Sequence, residues 1–175
     1  VNFRFVNADV RRFDILGPEM EKAEIIIPLA ALVGFPLCDG DPRSAVEINH
    51  GVNAWIAKNK RPDQKVIYPC TNSGYGVSDL LVNNFVLRAR QDKLLVLYEC
   101  EFMRNYVHLQ DVCHAFRYVI NNWEECKNQT YNVGNDSLNM NKLQLAQKIN
   151  EHIPIEIIKA EFNTDPDKRD YIVSS

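Results

Sequence analysis

One stretch constrains the fold more than any other. The run Glu24-Ile25-Ile26-Ile27-Pro28-Leu29-Ala30-Ala31 starts at a charge and is then almost wholly apolar. Such a run suits a strand buried on both faces of a parallel sheet, and Pro28, which lacks an N–H, marks its end. Asp41-Pro42 then opens a helix predicted to reach about Lys58, with Asp as N-cap and Pro in the first turn. Lys65-Val66-Ile67-Tyr68-Pro69-Cys70-Thr71 follows as a second strand. Strand, helix and strand at this spacing form a βαβ unit, which points to an α/β fold with a parallel sheet.

The rest of the chain fits that class. Val1, Phe3 and Phe5 alternate with other residues, so residues 1–7 read as a strand closed by Ala8-Asp9-Val10. A short helix is expected around residues 18–22. Helical spacing of Leu80, Leu81, Val82, Phe85, Val86 and Ala89 predicts a helix over 79–90. A strand is expected over 94–97. A strand end running into a helix is expected over 107–123, with Asp111 in its first turn. Residues 129–133 read as a strand closed by Gly134. Asn141-x-x-Gln144 resembles a capping box and opens a helix to about His152. Further strands are expected over 155–158 and 171–173.

Composition excludes several classes. Net charge is −3 and no Lys/Arg run exceeds two residues, which argues against a nucleic-acid surface. The longest apolar runs are far too short to span a membrane, and no secretory signal opens the sequence. The five cysteines, Cys38, Cys70, Cys100, Cys113 and Cys126, include no C-x-x-C pair. They read as reduced thiols of a cytoplasmic protein, with no zinc site or other metal.

Several motifs together resemble the extended short-chain dehydrogenase/reductase superfamily, in its NAD-dependent nucleotide-sugar epimerase/dehydratase branch. They are Ala8-Asp9-Val10, Pro28-Leu29-Ala30-Ala31, Asp41-Pro42 with Asn49, Thr71-Asn72-Ser73-Gly74-Tyr75-Gly76, Arg104-Asn105-Tyr106-Val107-His108-Leu109-Gln110-Asp111-Val112, and Tyr131-Asn132-Val133-Gly134. In finer wording, around Leu32-Val33-Gly34 to Leu37-Cys38 and over residues 165–171, the chain is most similar to the GDP-manno-heptose 4-dehydrogenase (4-oxidase) group.

The resemblance implies a Rossmann-like doubly wound parallel sheet with a small C-terminal α+β substrate-binding part. Residues 1–77 would be part of the NAD-binding domain. Residues 78–175 would mostly bind the nucleotide sugar, with a returning Rossmann segment around 104–134. Asp9 and Val10 would lie beside the adenine of NAD, Leu29, Ala30 and Ala31 under the dinucleotide, and Asn49 would help hold that region. Thr71 would be catalytic, its hydroxyl bonding the sugar oxygen that is oxidised. Arg104 would grip the substrate diphosphate, since a guanidinium suits two phosphate oxygens. Arg169 would be a second clamp. Asn72 and Ser73 stand where dehydratases carry two acids, which argues for epimerisation or oxidation rather than dehydration. A homodimer and a GDP-sugar substrate are further implications.

Without the resemblance, other readings stay open. Asp9 could be a turn residue at a strand end, Leu29 to Ala31 strand core, Asn49 a solvated helix residue and Thr71 a strand-end residue. Arg104 could serve a surface ion pair. His108 and Tyr75 read as structural.

Two family signatures do not occur in the sequence: the G-x-x-G-x-x-G turn that receives the pyrophosphate, and Tyr-x-x-x-Lys, the general acid/base. A sheet ordered 3-2-1-4-5-6 that lacked strands 1, 2 and 6 could not pair contiguously. The expectation is therefore a longer polypeptide, interrupted before Val1, between Val77 and Ser78 and after Ser175. The alternative is a non-catalytic binder of NAD or nucleotide sugar.

Overall fold

The βαβ unit read from the sequence is present. In this computed structural model, residues 3–33, 35–70, 81–161 and 170–174 are described. The chain divides into two units, Val1–Ser78 and Asp79–Ser175, each treated by itself below.

In the first unit, α1 (Phe13–Glu21) leads to β1 (Ile25–Ile26). Next come α2 (Phe35–Gly40), α3 (Pro42–Val46), a π-helical segment (Glu47–Val52) and α4 (Asn53–Asn59), then β2 (Lys65–Val66). β1 and β2 pair in parallel, Ile25 with Lys65 and Ile26 with Val66. The ladder ends early because Pro28 has no N–H to donate. Asp41 caps α3 as expected, its carboxylate accepting the Ser44 N–H at 3.0 Å.

α1 starts five residues before the predicted helix and carries Pro18 inside it. The rule that places Pro at a helix start misleads here. The other end of α1 is held by the approach to β2: buried Gln64 donates to the carbonyls of Met20 and Ala23 at 2.6 and 2.8 Å. Carbonyls at a helix C-terminus lack intrahelical partners, so Gln64 acts as a C-terminal cap. Met20, Val52 and Ile56 form the core, with Val10, Leu16, Ile26, Trp55 and Val66 packed against it. Residues 3–9 carry no ladder, which corrects the strand expected over 1–7. Phe3 and Phe5 are 86% and 74% exposed, so their alternation buries no face.

The second unit begins with α5 (Leu81–Gln91) and β3 (Leu94–Leu97). Then follow β4 (Met103–Asn105), α6 (Leu109–Asn121), α7 (Trp123–Cys126) and β5 (Asn139–Asn141). α8 (Lys142–Asn150) and β6 (Glu156–Lys159) complete it. β3 and β6 are parallel, and β4 and β5 antiparallel, with Arg104 opposite Met140. Leu95 and Leu97 point inward from β3 into a core with Phe85 and Ala89 of α5 and Leu145, Ala146 and Ile149 of α8. The capping box forms as read. Asn141 accepts from the Gln144 N–H at 2.8 Å, and Gln144 accepts from the Asn141 N–H at 2.9 Å.

Two expected strands do not form here. Residues 129–133 and 171–173 carry no ladder. The latter segment is held largely by side chains instead. Asp170 accepts the Met103 N–H at 2.8 Å, and the Tyr171 N–H reaches the Met103 carbonyl at 3.2 Å. Asn139 accepts the Val173 N–H at 3.1 Å and donates to the Val173 carbonyl at 2.8 Å.

That segment lies against Gly134. A Cβ there would stand 2.7 Å from Val173 Cγ1 and 3.1 Å from Asn105 Oδ1. Both neighbours are fixed, Val173 by the Asn139 bonds and Asn105 by bonds to Asn135 and Asn139. Gly134→Ala should therefore destabilise the chain by about 1–3 kcal/mol, the usual range for overpacking. Urea denaturation measures it. In a Val173→Ala background the same substitution should cost clearly less.

Candidate functional site

In the first unit the predicted cofactor residues converge on one helical run. Leu29, Ala30 and Ala31 lie in an extended segment after β1 and are exposed, Leu29 at 68%. The segment is fixed at its next residue by Asn49. The Asn49 carboxamide accepts the Leu32 N–H and donates to the Leu32 carbonyl, both at 2.8 Å. Asn49 is thus not a solvated helix residue; it takes the place of a strand neighbour. It lies in the π-helical segment, whose wider turn changes the direction of its side chains relative to an α-helix. Asn53 donates to the Asn49 carbonyl at 2.9 Å and steadies the turn.

Asp9 is exposed and Val10 is half-buried against the core. Asp9 is tied to the same helical run through Arg11. The Asp9 carboxylate accepts from the Arg11 backbone N–H at 2.9 Å and from its guanidinium at 3.1 and 2.7 Å. The other arm of Arg11 donates to Ser44 Oγ at 3.0 Å and to Glu47 at 3.1 Å. Arg43 holds Glu47 from the other side at 2.7 Å. The hydrogen bonds from Arg11 bring the Asp9 carboxyl from 3.8 down to about 2. Asp9 is therefore a fixed carboxylate, an acceptor of hydrogen bonds and not a donor.

An open cleft of about 320 Å³ adjoins this network, lined by Arg11, Phe13, Glu47, Gly51 and Trp55. Phe13 and Trp55 stack at 4.5 Å, nearly parallel. That volume is at the small end of known ligand sites.

In the second unit Arg104 is 6% exposed, so it is not a surface residue. Its Nη1 donates to the Met103 carbonyl at 2.8 Å, and its guanidinium lies 5.6 Å from the Tyr171 ring centroid. Both contacts fix the plane of the guanidinium. His108 is structural, its Nδ1 accepting the Gln110 N–H at the start of α6. Thr71 and Arg169 lie outside the described residues, as do Asn72, Ser73, Tyr75 and the Val77–Ser78 junction. Among the described residues, no group of His, Cys, Asp and Glu is placed to hold a metal ion, and no helix is long and apolar enough to cross a membrane. The five cysteines are free thiols.

Sequence reasoning missed Arg11, Asn139 and Tyr171. Arg11 stood next to the Asp9 motif, but its partners Ser44 and Glu47 are 33 and 36 residues away. No local rule joins them. Asn139 sits in an asparagine-rich stretch whose usual reading is turn or cap.

With this geometry in hand, the chain can be placed among known proteins. No family model matches it. Its fold is similar to an epimerase from Methanothermobacter thermautotrophicus, with a TM-score of 0.72 at 12% identity, over 89% of this chain and 65% of that one. It is similar to the UDP-glucose 4-epimerase of Thermus thermophilus, solved with NAD, with a TM-score of 0.64 at 12% identity, over 95% of this chain and 75% of that one. It is also similar to Pen from Bacillus thuringiensis, with a TM-score of 0.64 at 15% identity, over 90% of this chain and 60% of that one. The chain thus spans between 60% and 75% of the length of these structures. At such identities the likeness establishes the fold alone: a Rossmann-like α/β architecture like that of these structures.

The Asp9 network has a pH signature. The carboxyl is held below its unfolded value of 3.8, so its contribution to stability is fully present above that pH and is lost as pH falls through about 2. The Asp9 side-chain resonance in NMR should titrate near 2. In Arg11→Met the midpoint should move up toward 3.8. A wild-type midpoint already at the ordinary value would mean that the fork does not form.

Proposed function

We propose that the first unit carries the adenosine half of NAD and that the second carries the diphosphate of a nucleotide-activated sugar, in an epimerase or dehydrogenase that oxidises a sugar carbon, C4 by resemblance. One observation carries the reading. The Asn49–Leu32 pair holds an exposed backbone bearing only small side chains at Ala30 and Ala31. A dinucleotide needs such a surface, because backbone must approach it closely. The residues fit the cofactor: Ala30 and Ala31 would lie under it, Leu29 would flank it, Asp9 would accept from the adenine amine and Val10 would stand beside the ring. NAD, when bound, supplies the acceptor and later the donor of a hydride.

The domain assignment follows, with 1–77 as the cofactor part and 78–175 mostly as the substrate part. Arg104 faces the diphosphate, Arg169 is the second clamp, and Thr71 holds the reacting sugar oxygen. The Tyr171 ring lies beside Arg104, so the 170–173 segment is part of the same proposed site. The fold neighbours support the class, since one is an epimerase and another a UDP-glucose 4-epimerase solved with NAD. They do not bear on the base, so a GDP-sugar and a UDP-sugar are tested side by side. A homodimer belongs to the proposal on the same resemblance, and a cytoplasmic setting on the cysteine pattern. A second reading, a non-catalytic binder, is favoured by one fact: no Tyr-x-x-x-Lys occurs among these 175 residues.

Two measurements test the reading. Incubation with NAD and a panel of nucleotide sugars should, for one of them, either raise absorbance at the NADH wavelength or yield the epimeric nucleotide sugar. Binding with neither NADH nor an epimerised product would favour the second reading. Calorimetry on Arg104→Ala should show nucleotide-sugar affinity reduced about ten- to a hundredfold, as for loss of a charge-assisted bond, with NAD affinity nearly unchanged. Equal sugar-nucleotide affinity in the folded variant would remove Arg104 from the site.

A further inference from the structure

Arg11 is half-buried and heavily bonded, and the cofactor reading leaves it without a task. Its fork engages both oxygens of Asp9, at 3.1 Å from Nε and 2.7 Å from Nη2. Nε also lies 3.2 Å from the second oxygen. The far arm is anchored on Ser44 and Glu47. Those anchors are themselves held. The Ser44 N–H is bound by Asp41 at 3.0 Å, and Glu47 is shared with Arg43. The guanidinium is planar and cannot lose its proton, so it fixes the plane of the Asp9 carboxylate as well as its position. A carboxylate offers about four acceptor directions. Three N–H groups of Arg11 fill the side of the carboxylate that faces it, with the Nε hydrogen shared between both oxygens, while the Asp9 side chain stays 44% exposed on the other side.

We propose that Arg11 is a specificity-determining positioning residue: by locking Asp9 to the helical run at Ser44 and Glu47, it presents an outward acceptor direction that selects a 6-amino purine over a 6-oxo purine. This rests on the reading that Asp9 meets the purine of the cofactor. The chemistry is direct. The 6-amino group of adenine donates a hydrogen bond to a fixed carboxylate oxygen. A 6-oxo group brings a second acceptor to the same place, and two acceptors facing one another repel. An untethered Asp9 could rotate away and spare the 6-oxo purine that repulsion. Arg11 removes this freedom. A merely structural Arg11 would weaken both purines equally when lost, whereas this role predicts a change in their ratio.

The test uses AMP and IMP as probes, titrated into the full chain and followed by amide NMR shifts. Wild type should bind AMP about tenfold more tightly than IMP, the low end for an exposed hydrogen bond to a charged group. In Arg11→Met the ratio should fall to within about twofold of unity, and in Arg11→Lys, which keeps a charge without the fork, to roughly threefold. Arg11→Lys carries the test if Arg11→Met does not fold. Asp9→Asn should abolish the preference. Retention of the wild-type ratio by the Arg11 variants, with loss in Asp9→Asn, overturns the role of Arg11 while leaving the cofactor reading intact. Retention of the ratio by Asp9→Asn, or no binding of AMP to wild type, overturns the placement of the purine and this inference together.

Discussion

The structure depends on an asparagine side chain standing in for a β-strand. A carboxamide offers a donor and an acceptor in one plane, the same pair that a strand neighbour presents. Asn49 uses it on Leu32 and Asn139 uses it on Val173. Each clasp fixes an extended segment that has no ladder of its own. Each segment carries candidate site residues, Leu29 to Ala31 in one unit and Tyr171, beside Arg104, in the other. A strand in these places would surround the segment with backbone. In the first unit a single side chain holds the segment at Leu32 and leaves Leu29 to Ala31 exposed; in the second, bonds of Asp170 and Tyr171 to Met103 add to the Asn139 clasp.

The clasps also explain where irregular structure is tolerated. The π-helical segment Glu47–Val52 departs from α geometry within the run that follows α3. That departure carries Asn49, and the carboxamide of Asn53 bonds its carbonyl. In the second unit, Gly134 has space for no Cβ because Val173 is held so near. A wide helical turn and a close backbone approach thus occur at two segments that carry or adjoin candidate site residues. The cores by contrast are ordinary apolar clusters.

What was legible in the sequence was what is local. Asp41 with Pro42, and Asn141 with Gln144, act within three residues, and both formed as read. The parallel pairing of Ile25–Ile26 with Lys65–Val66 followed from spacing and apolar runs. Among the described residues, no strand forms over 3–7, 129–133 or 171–173, because alternation specifies a face and not a partner, and a ladder needs a partner. Tyr171 and Val173 are instead bound by Met103 and Asn139, more than thirty positions away. Asn49 was singled out through family likeness, and its bond to Leu32 gives that choice a physical content. Arg11 escaped notice because a charge beside a charge reads as a solvated surface. Its two distant anchors are visible only once the chain is folded.

Asn49 would hold the surface on which NAD docks, and the direct measurement is an amide NMR titration of the chain with NAD, in wild type and in Asn49→Ala. Wild-type amides of Val10, Ala30, Ala31 and Leu32 should shift together, and these shifts should weaken in Asn49→Ala while amides of the second unit keep their wild-type positions. If those four amides stay still while NAD binds elsewhere, or if Asn49→Ala binds as wild type does, NAD does not dock on the surface that Asn49 holds.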